Sequence, residues 1–246
     1  SVPELSDATN PELWYETNPS LGTILTERTI RSELGDDKVD DNIQRLGLWL
    51  KYNQKSAISK NEWNSYILEN PPCLTSKIRL YFGVKYAKNT PNVSLSVAVK
   101  TVDGKIFIES LDCRPVREGN DWIIAYLRNP NAVKVAIDGA GNQSILEEDM
   151  KNAGVKCKAV LPKVSEVIEA NALFEKNLFE GKICHKGQPS LVQIVSNCEH
   201  RAVGTGGGFG YTSILEGADV SLLESVTLAH WLCSNAKEIK KQRINY

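Results

Sequence analysis

The sequence feature that most constrains the fold is a pair of strand-like segments joined by a tight turn. In segment 93–101 the apolar residues recur at every second position, which is typical of a strand with one buried face. Asp103-Gly104 follows, a dipeptide that favours a hairpin turn, and the chain returns through 105–112. Because 78–87 is also strand-like, the sequence predicts a three-stranded antiparallel meander.

Beyond residue 120 the pattern changes to helices and strands in alternation. An apolar run at 132–137 is typical of a buried central strand, and Gly154 and Gly181 end the two helices that follow it. A meander followed by such an alternation is the element order of the RNase H-like fold. We therefore predict an α/β fold with a mixed sheet, in which the meander is joined by parallel strands and flanked by helices. The predicted helices are 121–128, 141–153, 165–180, 190–198 and 220–236, and the predicted strands are 132–137 and 155–161.

The first 75 residues have a different character. They are polar with helical periodicity, and Asn70-Pro71-Pro72 ends the last of three candidate helices, at 26–34, 42–52 and 61–68. We predict a helical segment over 1–75 and an RNase H-like domain over 76–246. The chain begins with Ser1 and its one methionine is Met150, which favours a fragment of a longer polypeptide.

Charge and hydropathy narrow the classes of function. The net charge is −1, so the chain as a whole is not an electrostatic attractant for nucleic acid. No apolar run approaches the roughly 20 residues that span a bilayer, and we expect no membrane partner.

Three acidic residues are candidates for chemistry. Asp138 ends an apolar strand, where burial is costly unless the carboxylate has a partner or a metal, although capping the next helix is an alternative. Asp219 precedes the last helix and can cap it, bind a metal, or do both. Glu224 lies about 1.5 turns further along that helix and can assist Asp219 or remain a solvated glutamate.

Several segments resemble the large subunit of phage terminases, the motors that package DNA. Segments 13–22 and 42–49, followed by Trp63, resemble the link between the ATPase and nuclease halves of that family. Segments 81–85, 135–139 and 206–210, followed by Asp219 and 222–224, resemble the first strand, the fourth strand, the hairpin and the last helix of its nuclease.

This resemblance implies a metal-dependent endonuclease that cuts concatemeric double-stranded viral DNA with Mg²⁺ or Mn²⁺, ions that prefer carboxylate ligands. It makes 1–75 the linker segment from the ATPase–nuclease junction and 76–246 the nuclease domain. The implied partners are viral DNA, the ATPase half of the same polypeptide, a small terminase subunit and the portal protein, in the cytoplasm of an infected bacterial host. The predicted catalytic residues are Asp138, Asp219 and Glu224, and the predicted metal ligands are Asp138, Asp219 and Glu109.

The chain departs from the family pattern at the first acid. Lys85 stands where the family has an aspartate, and segment 70–102 contains no acidic residue. A lysine about 4 Å from a divalent ion would cost roughly 8 kcal/mol at an effective dielectric of about 20. Three outcomes remain open: Lys85 points away or pairs with Asp138, Glu109 or Asp112 supplies a ligand, or metal binding is weak.

The glycine-rich segment 202–214 lacks the Gly-Lys-Ser/Thr that completes a phosphate-binding loop. It predicts a hairpin, either a plain turn or a mobile loop that sets an aromatic ring and backbone amides against DNA. The predicted DNA contacts are Lys85, Arg201, Gly207 and Phe209.

Two other functions fit the same pattern. A degenerate RNase H-like module would bind DNA and dock the packaging motor on the portal without cutting, and Lys85 favours this alternative. A resolvase or integrase core is the third possibility, but such enzymes also carry an acid on the first strand.

Overall fold

A computed structural model describes residues 56–236 except 71, 75, 76, 89, 205 and 216. Its centre is a six-stranded sheet in the order β5-β4-β1-β2-β3-β6. The strands β1, β2 and β3 form an antiparallel meander, whereas β4 joins β1, β5 joins β4 and β6 joins β3 in parallel. The predicted mixed sheet is therefore confirmed. The strands are β1 (Leu80–Tyr86), β2 (Asn92–Lys100), β3 (Ile106–Pro115), β4 (Ala132–Asp138), β5 (Lys158–Val160) and β6 (Ile183–Cys184).

Six α-helices and a small hairpin surround this sheet in the described part of the chain. The helices are α1 (Lys60–Asn64), α2 (Asp121–Leu127), α3 (Asn142–Asn152), α4 (Val164–Phe179), α5 (Pro189–Ser196) and α6 (Ser221–Ser234), with a 3₁₀ turn at Val116–Glu118. The hairpin consists of β7 (Cys198–Val203) and β8 (Gly208–Ser213). None of the helices in the described ranges is both long and apolar enough to cross a bilayer.

The two faces of the sheet bury separate apolar cores. Helices α2 and α3 cover one face, where Val84 and Val97 are fully buried. Helices α4, α5 and α6 cover the other face, and α6 contacts β1, β2 and β3 directly. Gly83 permits that contact, because a Cβ atom there would lie 2.0 Å from the backbone oxygen of Ser225. The residues of β1 that face α6 are thus held against the helix backbone.

Part of the predicted N-terminal segment belongs to the second core. Ile58 and Trp63 are fully buried, and the Trp63 ring stacks on His185 with 4.1 Å between ring centroids. The backbone N–H of Leu68 also donates to the carbonyl of His185. Residues 56–70 therefore pack on the α/β domain, whereas 1–55 lie outside the described residues, and with them the predicted helices 26–34 and 42–52.

The observed elements differ from the predicted ones mainly where they are short. The helix predicted at 61–68 is the five-residue α1, and the strand predicted at 155–161 forms only over Lys158–Val160. The two-residue strand β6 was not predicted, because two residues show no periodicity. These short elements are set by their contacts with the sheet edges and not by local pattern.

Candidate active site beside β1, β4 and α6

Three elements bring oppositely charged side chains together at one end of the sheet. Strands β1 and β4 run in parallel with Lys85 opposite Asp138, so both side chains leave the same face. Helix α6 packs on that face and contributes Glu224 from its first turn. Arg201 reaches the group from β7. We call Lys85, Asp138, Glu224 and Arg201 the Lys85 cluster.

The Lys85 ammonium lies between two carboxylates. Its Nζ atom is 2.5 Å from Oδ2 of Asp138 and 3.4 Å from Oε2 of Glu224. The other oxygen of Glu224, Oε1, is 3.5 Å from Nη2 of Arg201. The exposed fractions of the Lys85 and Glu224 side chains are only 11% and 10%, so these ion pairs are poorly screened by solvent. Of the outcomes left open for Lys85, the structure has the one in which it pairs with Asp138.

The electrostatics of the pair follow from burial and from the nearby charges. Burial lowers the pKa of Lys85, but the carboxylates of Glu224 and Asp138 outweigh it, so the pKa is raised above the ordinary lysine value. Burial raises the pKa of Glu224, and the positive charges of Lys85 and Arg201 counter this only in part. Lys85 is therefore protonated and positively charged within the Lys85 cluster.

These residues do not fit a divalent metal ion. A magnesium or manganese site needs several oxygen ligands that converge on one point. Here both carboxylates already contact the Lys85 ammonium, and a second cation beside it would be repelled. In the described ranges no three His, Cys, Asp or Glu residues are grouped so that they could hold a metal ion. The Lys85 cluster is therefore an ion-pair network in which two cations balance two carboxylates.

Asp219 lies near α6 but has partners outside the Lys85 cluster. Its Oδ2 atom accepts a hydrogen bond from the Thr90 hydroxyl at 2.8 Å. Its Oδ1 atom accepts from the backbone N–H of Ser221, the first residue of α6, at 2.7 Å. The side chain thus satisfies a backbone donor at the start of the helix, although the N-cap residue is Val220 and not Asp219 as predicted.

Glu109 lies on the opposite face of the sheet. It is paired with Val97 across β2 and β3, and directly opposed residues in an antiparallel pair point to the same face. Val97 belongs to the core beneath α2 and α3, whereas the Lys85 cluster lies beneath α6. The structure therefore does not bring the predicted metal ligand Glu109 together with Asp138. The alternative ligand Asp112 forms an ion pair with Arg114 at 2.8 Å.

The predicted glycine-rich hairpin is formed by β7 and β8. Arg201 crosses over it and donates from Nε to the carbonyl of Tyr211 at 2.9 Å. Gly210, opposite Arg201 in the pairing, makes room, because a Cβ atom there would be 3.2 Å from the guanidinium carbon. Gly207 lies in the turn with φ +77°, a conformation that favours glycine. Arg201 thereby connects the hairpin to Glu224.

The other face of the hairpin carries the predicted DNA contact Phe209, together with partners that sequence reasoning did not assign to it. The ring centroids of Phe209 and His200 are 4.2 Å apart. His200 Nε2 lies 2.6 Å from Oε1 of Glu175 on α4, and the Tyr211 hydroxyl donates to the same oxygen at 3.1 Å. The alternation of His200 with Ala202, and of Phe209 with Tyr211, was the signal that these side chains share a face.

Two serine pairs also escaped the sequence reasoning. Ser94 and Ser96 on β2 face α6, and their hydroxyls each lie 2.6 Å from a hydroxyl of α6, those of Ser221 and Ser225. The available signal was the spacing of the serines. Ser94 and Ser96 lie two residues apart and so share one face of the strand, and Ser221 and Ser225 lie four residues apart and so share one face of the helix. These pairs fix the start of α6 beside Lys85, because Ser94 is the residue opposite Lys85 in the meander.

The fold is similar to that of solved large terminases. The crystal structure of the HK97 bacteriophage large terminase aligns with a TM-score of 0.58 and 16% sequence identity, covering 93% of this chain and 55% of the terminase. The chain thus spans about half the length of that protein. This likeness confirms the predicted resemblance at the level of the fold, a mixed α/β sheet similar to that of the HK97 large terminase.

Two further structures align over the nuclease alone. The large terminase nuclease from thermophilic phage G20c with bound magnesium gives a TM-score of 0.49 and 14% identity, over 71% of this chain and 97% of that one. The large terminase nuclease domain of Thermus phage P74-26 gives 0.48 and 14%, over 74% and 98%. Comparison with known protein families gives no match, and comparison with curated proteins gives no significant relative.

Proposed function

We propose that this chain is the nuclease-fold part of a viral terminase large subunit, and that it binds double-stranded DNA during genome packaging without cutting it. The observation that carries this proposal is the Lys85 ammonium between Asp138 and Glu224. The ammonium of Lys85 supplies the positive charge that the two carboxylates require. A divalent ion between the same carboxylates would be repelled by this ammonium. The module is therefore a degenerate nuclease that retains the fold.

The hairpin supports a role in DNA binding. The Arg201 side chain is 37% exposed, and its guanidinium group is of the kind that suits phosphate contacts. Gly207 lies in the turn of the same hairpin and can offer a backbone amide to the sugar-phosphate chain, whereas the Phe209 ring is on the other face against His200. In the packaging motor the proposed partners are the ATPase half of the same polypeptide, a small terminase subunit and the portal protein. The proposed location is the cytoplasm of the infected bacterial host.

The second candidate is the metal-dependent endonuclease that the resemblance implies, which would cut concatemeric viral DNA. The convergence of Asp138 and Glu224 on one face of the sheet favours it, since two acids that contact the same cation, one of them buried, are typical of a cation site. In that case Asp138, Asp219 and Glu224 would be the catalytic acids, with Mg²⁺ or Mn²⁺ as the ion. Lys85 would first have to leave its position between the two carboxylates.

A plasmid-nicking assay with Mg²⁺ and Mn²⁺ separates the two candidates. We expect no cutting by the wild-type chain, and none by Asp138→Ala or Asp219→Ala. Metal-dependent cutting by the wild type that is lost in Asp138→Ala would establish the endonuclease. Lys85→Asp restores the acid of the family pattern, and we expect this variant to gain a stabilisation by Mn²⁺ in thermal unfolding that the wild type lacks.

DNA binding needs its own measurement. We expect the wild-type chain to bind double-stranded DNA at low salt and Arg201→Ala to bind roughly tenfold more weakly, since a charged hydrogen bond contributes about 1.5 kcal/mol or more. Arg128→Ala is the matched control, because Arg128 is exposed at the end of α2. Absence of binding by the wild type, or equal loss in both variants, would refute a role for the hairpin.

A further inference from the structure

A row of basic side chains crosses the sheet at the end opposite the Lys85 cluster. Strands β4 and β5 are parallel, and Lys134 on β4 lies directly opposite Lys158 on β5. Lys134 is also opposite Tyr81 on β1, whose side chain packs in the core beneath α6. Both lysines therefore point to the α6 side of the sheet. Two further residues complete what we call the basic row, which consists of Arg79, Lys100, Lys134 and Lys158.

Arg79 and Lys100 extend the row across the next two strands. Arg79 directly precedes β1, and Lys100 is the last residue of β2. Each is two residues from a member of the Tyr81–Ala98 pair, so each points to the same face as that pair. The charge of Lys100 also acts on Cys233 near the end of α6, because burial raises the pKa of that thiol and Lys100 opposes the rise. Adjacent strands lie about 4.8 Å apart, so the four cations span roughly 14 Å.

The basic row lacks a counterion within the described part of the chain. None of its four side chains forms an ion pair with a described carboxylate, whereas Lys85, Lys151 and Lys182 each have such a partner. Like charges directly opposite each other on adjacent strands destabilise a sheet, and Lys134 and Lys158 are opposed in this way. The fold therefore contains a repulsion that a bound anion would relieve.

The composition and the length of the row indicate which anion fits. The side chains of Arg79 and Lys158 are exposed, and those of Lys100 and Lys134 are half-buried, so their charged ends can reach a ligand. Lysine is depleted at interfaces between proteins, whereas lysine and arginine supply many of the contacts to DNA phosphates. Successive phosphates of one DNA strand rise by about 3.4 Å along the duplex axis, so a row of roughly 14 Å covers about four of them.

We propose that the basic row is a second contact surface for the phosphate backbone of double-stranded DNA. This inference rests on the proposed function and extends it to the other end of the same face of the sheet. Arg201 contacts Glu224 in the first turn of α6, whereas the row lies near the last turn, which ends at Ser234. At 1.5 Å per residue the two surfaces are roughly 15 Å apart, and a duplex that lies along α6 contacts both.

The test measures the affinity of the full chain for a fluorescein-labelled DNA duplex by anisotropy, from about 50 to 200 mM salt. The row variant combines Lys134→Gln with Lys158→Gln. The matched control combines Lys151→Gln with Lys182→Gln, which removes the same charge from exposed lysines that already have carboxylate partners. We expect the row variant to bind roughly tenfold more weakly at low salt, with the slope of log affinity against log salt reduced by about 1.8. The control should keep the wild-type slope.

The possible failures are distinct. Absence of DNA binding by the wild type would refute the proposed function and the basic row together. A row variant that behaves like the control, while Arg201→Ala binds more weakly than the wild type, would overturn the basic row alone. Binding of an oligoglutamate peptide that the row variant loses, with no change in its DNA affinity, would assign the row to an acidic protein partner and also overturn the proposal.

Urea denaturation shows whether the two lysines serve the fold instead. Removing them relieves a repulsion between like charges, so the row variant should unfold at the same urea concentration as the wild type or at a higher one. A clearly lower midpoint would show that Lys134 and Lys158 stabilise the sheet, and this would overturn the proposal that they are kept for a ligand.

Discussion

Lys85 and His185 are both buried basic side chains, but their surroundings give them opposite charge states. Lys85 is 9% exposed, contacts two carboxylates and has a raised pKa. His185 is 1% exposed, and burial lowers its pKa to about 4 although the Trp63 carbonyl opposes this. Burial disfavours charge at both positions, so the formal charge of the partner decides the outcome. The carboxylates beside Lys85 keep it protonated, whereas the dipole of the Trp63 carbonyl is too weak to keep His185 protonated.

The hydrogen bonds of His185 explain why it stays neutral. Its Nε2 atom lies 3.0 Å from the Trp63 carbonyl and therefore carries the proton, while Nδ1 accepts from the N–H of Gly187 at 2.9 Å. A second proton on Nδ1 would face that N–H. His230 is similar, since burial lowers its pKa to about 3. The same face of the sheet thus carries neutral histidines in its core and a charged cluster at one end.

The largest expected effect comes from removing the cation of the Lys85 cluster. Lys85→Met leaves the buried Glu224 and the half-buried Asp138 without their shared partner, and we expect a loss of about 3–5 kcal/mol in the free energy of unfolding. Urea denaturation at neutral pH measures it. The loss should shrink as the pH falls, because protonation of Glu224 removes one of the two negative charges that Lys85 balances in the wild type.

Lys105→Met is the control for that experiment, because Lys105 is exposed in the turn after β2 and should change stability by less than about 0.5 kcal/mol. Adding Asp138→Asn to Lys85→Met should restore part of the lost stability. If Lys85→Met is no worse than Lys105→Met, the ion pairs are not maintained in solution.

The neutral histidines predict acid sensitivity. The folded-state pKa of His185, about 4, lies below its unfolded value of about 6.5, so the unfolded state binds more protons between these pH values. The stabilisation is fully present above about pH 6.5 and is lost as the pH falls to about 4, by roughly 3 kcal/mol for His185. Urea denaturation across this range measures the slope.

His185→Asn should reduce that slope even if it lowers stability at every pH. Asn171→Ala is the comparison variant, because Asn171 is buried beside β8 and does not titrate, so the wild-type slope should remain. A slope in His185→Asn equal to that of the wild type would show that His185 is already protonated in the fold or exposed to solvent.

The smallest effect is expected at the rim of the Lys85 cluster. Arg201 is 3.5 Å from Glu224 and partly exposed, so Arg201→Ala should cost less than about 1 kcal/mol in stability. Thermal unfolding at low and high salt checks this. A loss comparable to that of Lys85→Met would mean that Glu224 relies on Arg201 more than on Lys85.

The pairing of Lys85 with Asp138 could be predicted, because the sequence around each residue shows that it lies at the end of a strand. A strand-like run ending near Lys85 and an apolar run ending at Asp138 place both residues at carboxyl ends of strands, and parallel pairing makes them neighbours. The face on which Glu109 lies was not open to prediction. It depends on the register of β2 against β3, which contains an irregularity between Leu95 and Ser96.

The other features that could not be predicted depend on contacts between segments that are distant in the sequence. Arg201 meets Glu224 only because the hairpin folds across the start of α6, and no spacing in the sequence encodes that approach. The core position of Trp63 was likewise hidden, since it lies before the Asn70-Pro71-Pro72 break that predicts a boundary. Local sequence patterns identified most helices and strands. The partners of the charged side chains depend on how those helices and strands pack against one another.

The stack of Trp63 on His185 determines how the domain can be produced on its own. A protein that starts at residue 76 would lack the Trp63 ring and Ile58, and would leave a large apolar hollow open to water. We expect such a fragment to aggregate during expression. A start before Ser56 retains the hydrogen bonds from Ser56 and Ala57 to the carbonyl of Cys198 at the start of β7, and with them the cover over this part of the core.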